Sequence, residues 1–311
     1  DRAVQSSGTL NINSGIVANT ATTGSISEDE VPYTMVCSGT ININGGIVRA
    51  ISSDIVSQYG IHTTGTMTMT GGTIETVGTA LYTSGSGNTT ISGGTITAGG
   101  INNTTGRPTI NHKSTGTLQI TGENTVEVYS RIYTSIYNQL TGNIKISNPN
   151  ADLTALVRAI HNVSSGEIVM DAGLATITST TSTGNCVHNA GDGKIIINGG
   201  TVQAQTNSTI YNATGTVEVN GGTISSISGI TNDAGGTIKV TGGTITGTTS
   251  QGILNNGDGT IYITGGTITG NNVGLNGNTD STGTVTITGG TITGTTITGI
   301  HGKWGTVTLG T

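Results

Sequence analysis

The chain has no phenylalanine, a single tryptophan, 3% aromatic residues and only 8% charged residues. A rounded core draws on Phe and Leu, and a helical surface on Lys and Glu, so these scarcities exclude a helical globule. No basic run occurs and the formal net charge is −6, which argues against nucleic acid as a partner. No apolar stretch is long enough for a transmembrane helix, so membrane insertion is not expected. The two cysteines, Cys37 and Cys186, fall six rungs apart in the repeat described next. At about 4.8 Å per rung they are too distant for a disulfide and read as small buried residues.

What the chain does have is 53 glycines, abundant threonine, and a sentence said twice. Residues 237–259 read TIKVTGGTITGTTSQGILNNGDG, and residues 260–283 read TIYITGGTITGNNVGLNGNTDSTG. In the second copy Thr260 to Thr264 alternates polar and apolar, the period-2 signature of a strand with one buried face. Gly265-Gly266 turns the chain, because glycine alone enters left-handed backbone regions without penalty. Thr267-Ile268-Thr269 is a second short strand, and Gly252 to Asn255 stands for the third. One copy cannot bury its isoleucines, whereas stacked copies convert them into continuous ladders.

Looser copies begin at Thr9, Thr40, Thr66, Asn88, Thr117, Asn143, Glu167, Lys194, Thr216, Thr237, Thr260, Thr284 and Thr306. The expected fold is therefore all-β: one parallel β-helix over residues 1–311, with about twelve rungs, three short strands per rung and almost no helix. The long, irregular period suits the right-handed kind. Inward columns run from Leu10/Ile12 to Val285/Ile287 in the first strands. In the second strands they run from Val17 through Val48, Ile74, Ile96, Val126, Leu153 and Ala175 to Ile292. Disorder is the rival reading of so polar a composition, but disorder has no reason to keep apolar residues in register.

In the third strand an aliphatic residue is followed two places later by Asn138, Asn162, Asn189, Asn212, Asn232 and Asn255. Stacked asparagines can donate to one neighbour and accept from the other, which satisfies a buried polar column. This pattern resembles the asparagine ladder of the right-handed β-helix family that includes pectate lyases and many bacterial adhesins. The resemblance implies architecture and carries no activity with it.

The position between the aliphatic residue and the asparagine faces outward. It reads His62, Tyr82, Asn102 or Asn111, Tyr137, His161, His188, Tyr211, Thr231, Leu254, Asn276 and His301. Tyr137, His161, His188 and Tyr211 are expected on consecutive rungs and are the candidate ligand-binding residues. Such rings could stabilise one another on a sheet face, contact sugar rings or an aromatic partner surface, or share a metal between the two histidines. Two histidines without a third ligand make a poor zinc site, so no metal or other cofactor is assigned.

A threonine array, Thr223/Ser225, Thr244/Thr246, Thr267/Thr269 and Thr291/Thr293, resembles the ice-binding face of some antifreeze solenoids until Gln203, Glu127, Glu75 and Arg49 interrupt it. Of the outward carboxylates, Glu167 and Asp171 near Lys194 form the best catalytic grouping, and they read as an ion pair rather than an active site. No catalytic residue is assigned and no enzyme is expected. Two insertions, around ATTGSISEDEVPYT and GINNTTGRP, are candidate functional loops.

The first residue is Asp, and with so few charges the chain reads as exported, secreted or displayed on a cell surface. Its first strand opens after a few polar residues and its last stops in mid-rung. Either the chain belongs to a longer surface protein, or copies stack end to end. The edges would then be Thr9, Leu10, Asn11, Ile12 and Asn13 at one end and Thr306, Val307, Thr308 and Leu309 at the other. The expected function is an extracellular structural or adhesive solenoid, a surface fibre or stalk subunit. The alternative is a carbohydrate-binding or carbohydrate-active module using the His/Tyr column, and a lesser one is ice binding. Expected partners are other copies of the chain, a glycan or a host or cell surface.

Overall fold

The computed structural model describes residues 2–20, 33–50, 59–99, 107–177, 184–278 and 281–310. The chain is an all-β parallel β-solenoid of about 11 turns with no helix and 60% strand, close to the twelve rungs counted from the sequence. It divides into two compact units, Asp1–Ile160 and His161–Thr311.

In the first unit the third strands Tyr33–Cys37, Tyr59–Thr63, Leu81–Gly85, Ile110–Ser114 and Thr134–Asn138 pair in parallel, one rung on the next. The first strands do the same from Thr9–Ile12 to Ile144–Ile146. In the second unit the repeat becomes most regular, with Ile238, Ile261 and Val285 in one column and Val240, Ile263 and Ile287 in the next. At the rungs that begin with Thr260 and Thr284 the expected three strands reduce to two, because Thr260–Gly270 and Thr284–Gly294 each run through the Gly-Gly turn as one strand.

The inward columns are buried as their period requires: Ile41, Ile43, Met67, Met69, Ile195, Ile238 and Ile261 are fully buried. Ala175 is also fully buried, in register with Val202. One assignment moves. Val128, not Val126, pairs with Ile96 and Leu153, and Val126 instead faces Gly94 and Ala151. The turn Thr121-Gly122-Glu123-Asn124-Thr125 is longer than Ser92-Gly93, and because the strand period is 2 a shift of two residues keeps both valines inward. Glu127 consequently stands opposite Thr95, whose hydroxyl donates to it at 3.2 Å.

The asparagine column of the second unit is a continuous wire of amides. Nδ2 of Asn162 donates to Oδ1 of Asn189 at 2.9 Å, Asn189 to Asn212 at 2.9 Å, Asn212 to Asn232 at 2.9 Å, and Asn232 to Asn255 at 2.8 Å. The other amide hydrogen bonds a turn carbonyl of the same rung, as from Asn212 to Gly215 at 2.8 Å and from Asn232 to Gly236 at 2.7 Å. At the next rung the ladder position is Gly277, which has no side chain, and Ser281 takes over: Asn255 donates to its hydroxyl at 3.1 Å. Asn162 and Asn212 both begin Asn-x-Ser/Thr triplets, and their complete burial closes them to glycosylation.

In the first unit the same column is filled by Cys37, Thr63, Thr83, His112 and Asn138. His112 is fully buried. Its Nε2 lies 3.1 Å from the Gly116 carbonyl, which can only accept, so Nε2 carries the proton. Its Nδ1 then accepts from the Thr83 hydroxyl at 2.7 Å. Burial pushes the imidazole below its ordinary pKa, an effect partly opposed by the Gly116 carbonyl. The unfolded chain binds the proton below about pH 6.5 and the folded chain resists it, so stability falls as pH drops through that value toward the folded pKa. His112→Asn, which substitutes the usual ladder residue, is expected to flatten the fall in urea midpoint between pH 7 and pH 5. A component from His62 should remain, because burial, and then the charge of Arg2, depress its pKa too. An unchanged slope in the variant would show that His112 is not the titrating group.

Candidate functional site

The outward column of the third strands is real in register. His62 lies opposite Tyr82, Tyr82 opposite Asn111, and Asn111 opposite Tyr137, so Asn111 rather than Asn102 holds the disputed place. Asn102 falls outside the described residues. Tyr137 belongs to the first unit, where burial raises its phenol pKa and Tyr133 and Arg158 lie near it.

In the second unit His161, His188 and Tyr211 form a row of rings. The centroids of His161 and His188 are 4.8 Å apart with planes 30° from parallel. His188 and Tyr211 follow at 4.9 Å, edge to face at 68°. The Tyr211 hydroxyl donates to Oδ2 of Asp233, one rung on. Burial and that carboxylate push the phenol up to about 12, so it is neutral at any physiological pH and its ring is tethered at both ends. Alternation explains the arrangement, since the ladder asparagine and the aliphatic residue point inward and the residue between them must point out. At His301 the column resumes, with Nδ1 3.2 Å from Asn276 Oδ1.

In the first unit His62 and Tyr82 of this column join a second aromatic cluster with Tyr33 and Tyr59, which sequence reasoning missed. The rings of Tyr33 and Tyr59 are 5.1 Å apart, Tyr33 and His62 5.0 Å, and His62 and Tyr82 4.9 Å. Arg107 lies over the Tyr59 ring with Cζ 5.0 Å from its centroid. Tyr33 and Arg107 are the described ends of the two insertions; residues 21–32 and 100–106 themselves lie outside the described residues. The signal that could have found the cluster was the residue types at the ends of those insertions.

The other candidates are placed as follows. The threonine array is in register, with Thr223 opposite Thr244, Thr244 opposite Thr267 and Thr267 opposite Thr291. Among its interruptions Arg49 and Glu75 form an ion pair. Glu167 lies opposite Lys194 in register, the Lys194 ammonium is 2.7 Å from Glu218 Oε2, and Lys239 approaches the same carboxylate at 3.1 Å. Partial burial would raise the Glu218 pKa, yet the two ammonium groups hold it below the usual range. Asp171 accepts from Asn198 at 2.8 Å. Among the described residues no group of three or more His, Cys, Asp or Glu could hold a metal ion.

The expected edge residues are paired on one face: Thr9 to Ile12 with Thr40 to Ile43, and Thr306 to Leu309 with Thr284 to Ile287. Val307 and Leu309 continue the inward columns but are exposed, whereas Ile12 is buried and Leu10 partly so. Comparison of the chain with protein-family models, with curated proteins and with solved structures gives no match.

Proposed function

We propose that the chain is an exported structural and adhesive solenoid, a stalk or surface-fibre segment that holds a row of rings toward a sugar or aromatic partner surface. The observation that carries this reading is the His161, His188 and Tyr211 row, at 4.8 and 4.9 Å on consecutive rungs. A hydrogen-bonded ladder directly behind the row fixes its backbone, and Asp233 fixes the outermost ring, so little ordering entropy opposes contact. The scattered outward carboxylates, with Glu218 held between Lys194 and Lys239, favour the same reading over catalysis.

Stacking of copies through Thr9 to Asn13 and Thr306 to Leu309 is a proposal within this reading. The test is a panel of neutral oligosaccharides titrated against the intact chain and its Tyr211→Ala variant, with each preparation viewed by negative-stain electron microscopy at rising concentration. Saturable binding weakened about tenfold in the variant is expected, since a stacked ring contributes about 1 kcal/mol beyond its buried area. Binding indifferent to Tyr211 would remove the row as the adhesive surface. Filaments would support stacking of copies, and single rods at every concentration would remove it.

A further inference from the structure

We propose that the aromatic cluster of the first unit is a separate binding site for an anionic sugar, a pyranoside bearing a carboxylate or a sulfate. Tyr33 is its centre, with Tyr59, His62 and Tyr82 at 5.1, 5.0 and 6.3 Å. Tyr33, His62 and Tyr82 are half-buried on three successive third strands, so part of each ring is offered to solvent on a rigid support. The apolar face of a pyranose stacks on such rings as bases stack on aromatic side chains.

Two cations border the cluster. Arg107 covers the Tyr59 ring at 5.0 Å, and its Nε is buried with no hydrogen-bond partner. Arg2 is exposed, donates from Nη1 to Gln5 at 2.9 Å, and lies close enough for its charge to act on Tyr33 and His62. Neither guanidinium forms an ion pair among the described residues, in a chain whose net charge is −6. His62 adds no third cation at neutral pH: burial and Arg2 lower its pKa, and its Nε2 is 2.8 Å from the Ser84 hydroxyl.

A purely structural account explains part of this. A cation over a ring stabilises the fold by about 0.5–2 kcal/mol, which covers Arg107 and Tyr59. It leaves unexplained the orphaned Nε, since a buried donor without a partner is costly. It also leaves unexplained a second guanidinium whose charge reaches the same cluster. Guanidinium groups match carboxylate and sulfate oxygens through paired donors, and rings beside them select a cyclic anion over a bare one.

The test is calorimetric titration of the intact chain with three probes: a dextran sulfate oligosaccharide, an alginate oligosaccharide and unsulfated dextran of matched length. Saturable binding of at least one charged probe is expected, tighter than any binding of dextran. Arg107→Gln and Tyr82→Ala should each weaken it about tenfold, the scale of one charge-assisted hydrogen bond or one stacked ring. Lys239→Gln, on the other unit, should leave it unchanged. If Arg107→Gln fails to fold, Arg2→Gln carries the test, because that side chain is exposed. Binding of the sulfated probe alone assigns a sulfate ligand, and of alginate alone a carboxylate. Equal binding of dextran, equal loss in Lys239→Gln, or no binding of any probe would overturn the site.

Discussion

Asn212→Leu is expected to cost the second unit about 3–5 kcal/mol, one of the two largest effects of any single substitution in the chain. The side chain is fully buried and makes three hydrogen bonds: it accepts from Asn189 at 2.9 Å and donates to Asn232 at 2.9 Å and to the Gly215 carbonyl at 2.8 Å. Leucine is near enough in size to leave no large cavity, so packing loss is minor. It orphans an amide hydrogen of Asn189 and Oδ1 of Asn232, while the Gly215 carbonyl loses one of two donors and keeps the Thr237 N–H at 2.9 Å. Each orphaned buried group costs roughly 1–3 kcal/mol, part of which the apolar side chain returns. In a solenoid the damage should be local, because each rung contacts only its neighbours. Native-state hydrogen exchange should therefore accelerate in the rungs holding Asn189, Asn212 and Asn232 before others, alongside a lowered urea midpoint. A change of under about 1 kcal/mol would mean that the column tolerates orphaned amides, and the ladder would lose its standing as the spine of the unit.

Two adjacent glycines give the second prediction its internal control. A β-carbon on Gly236 would overlap Asn212 Nδ2 and Asn232 Oδ1, the two amides it lies between, while a β-carbon on Gly235 meets nothing within 4 Å. The close approach is systematic: Gly193, Gly215, Gly259 and Gly283 each pack against an amide of the ladder, and Gly142 packs against His112 Nε2. Glycine is required at Gly236 for space. Gly236→Ala must displace a hydrogen-bonded amide or the backbone beneath it, and about 3 kcal/mol or more is expected, at or above the upper range for overpacked sites. Gly235→Ala should stay within about 0.5 kcal/mol. Urea midpoints of the two variants decide the matter. Equal losses would show that flexibility of the turn, rather than the amide beneath Gly236, is what glycine supplies.

Much of this was legible from spacing alone. Alternation over Thr260 to Thr264 and the recurring Gly-Gly determined the parallel rungs, because a period of 2 with a fixed turn leaves one way to bury isoleucine. The ladder asparagines and the outward positions of His161, His188 and Tyr211 followed from the same arithmetic. The extension of that column to Thr83 and His112 was legible too, at the same two-residue offset from Leu81 and Ile110. The residue type changes there from asparagine while the spacing does not.

What the sequence by itself determined, then, is every contact repeated from rung to rung, since a repeat carries its neighbours' coordinates in its own period. The tertiary structure alone decided the contacts that break the period. Val128 displaced Val126 because a longer turn moved the register by two residues. Ser281 reached the end of the ladder from four residues beyond the position it replaces, Gly277. Lys194 reaches the diagonal Glu218, because long flexible side chains find partners by reach as well as by register. Tyr33 and Arg107 met on neighbouring rings from insertions of unrelated sequence. Insertions carry no period, so where their ends deliver a side chain is set by the packing of the rungs they join.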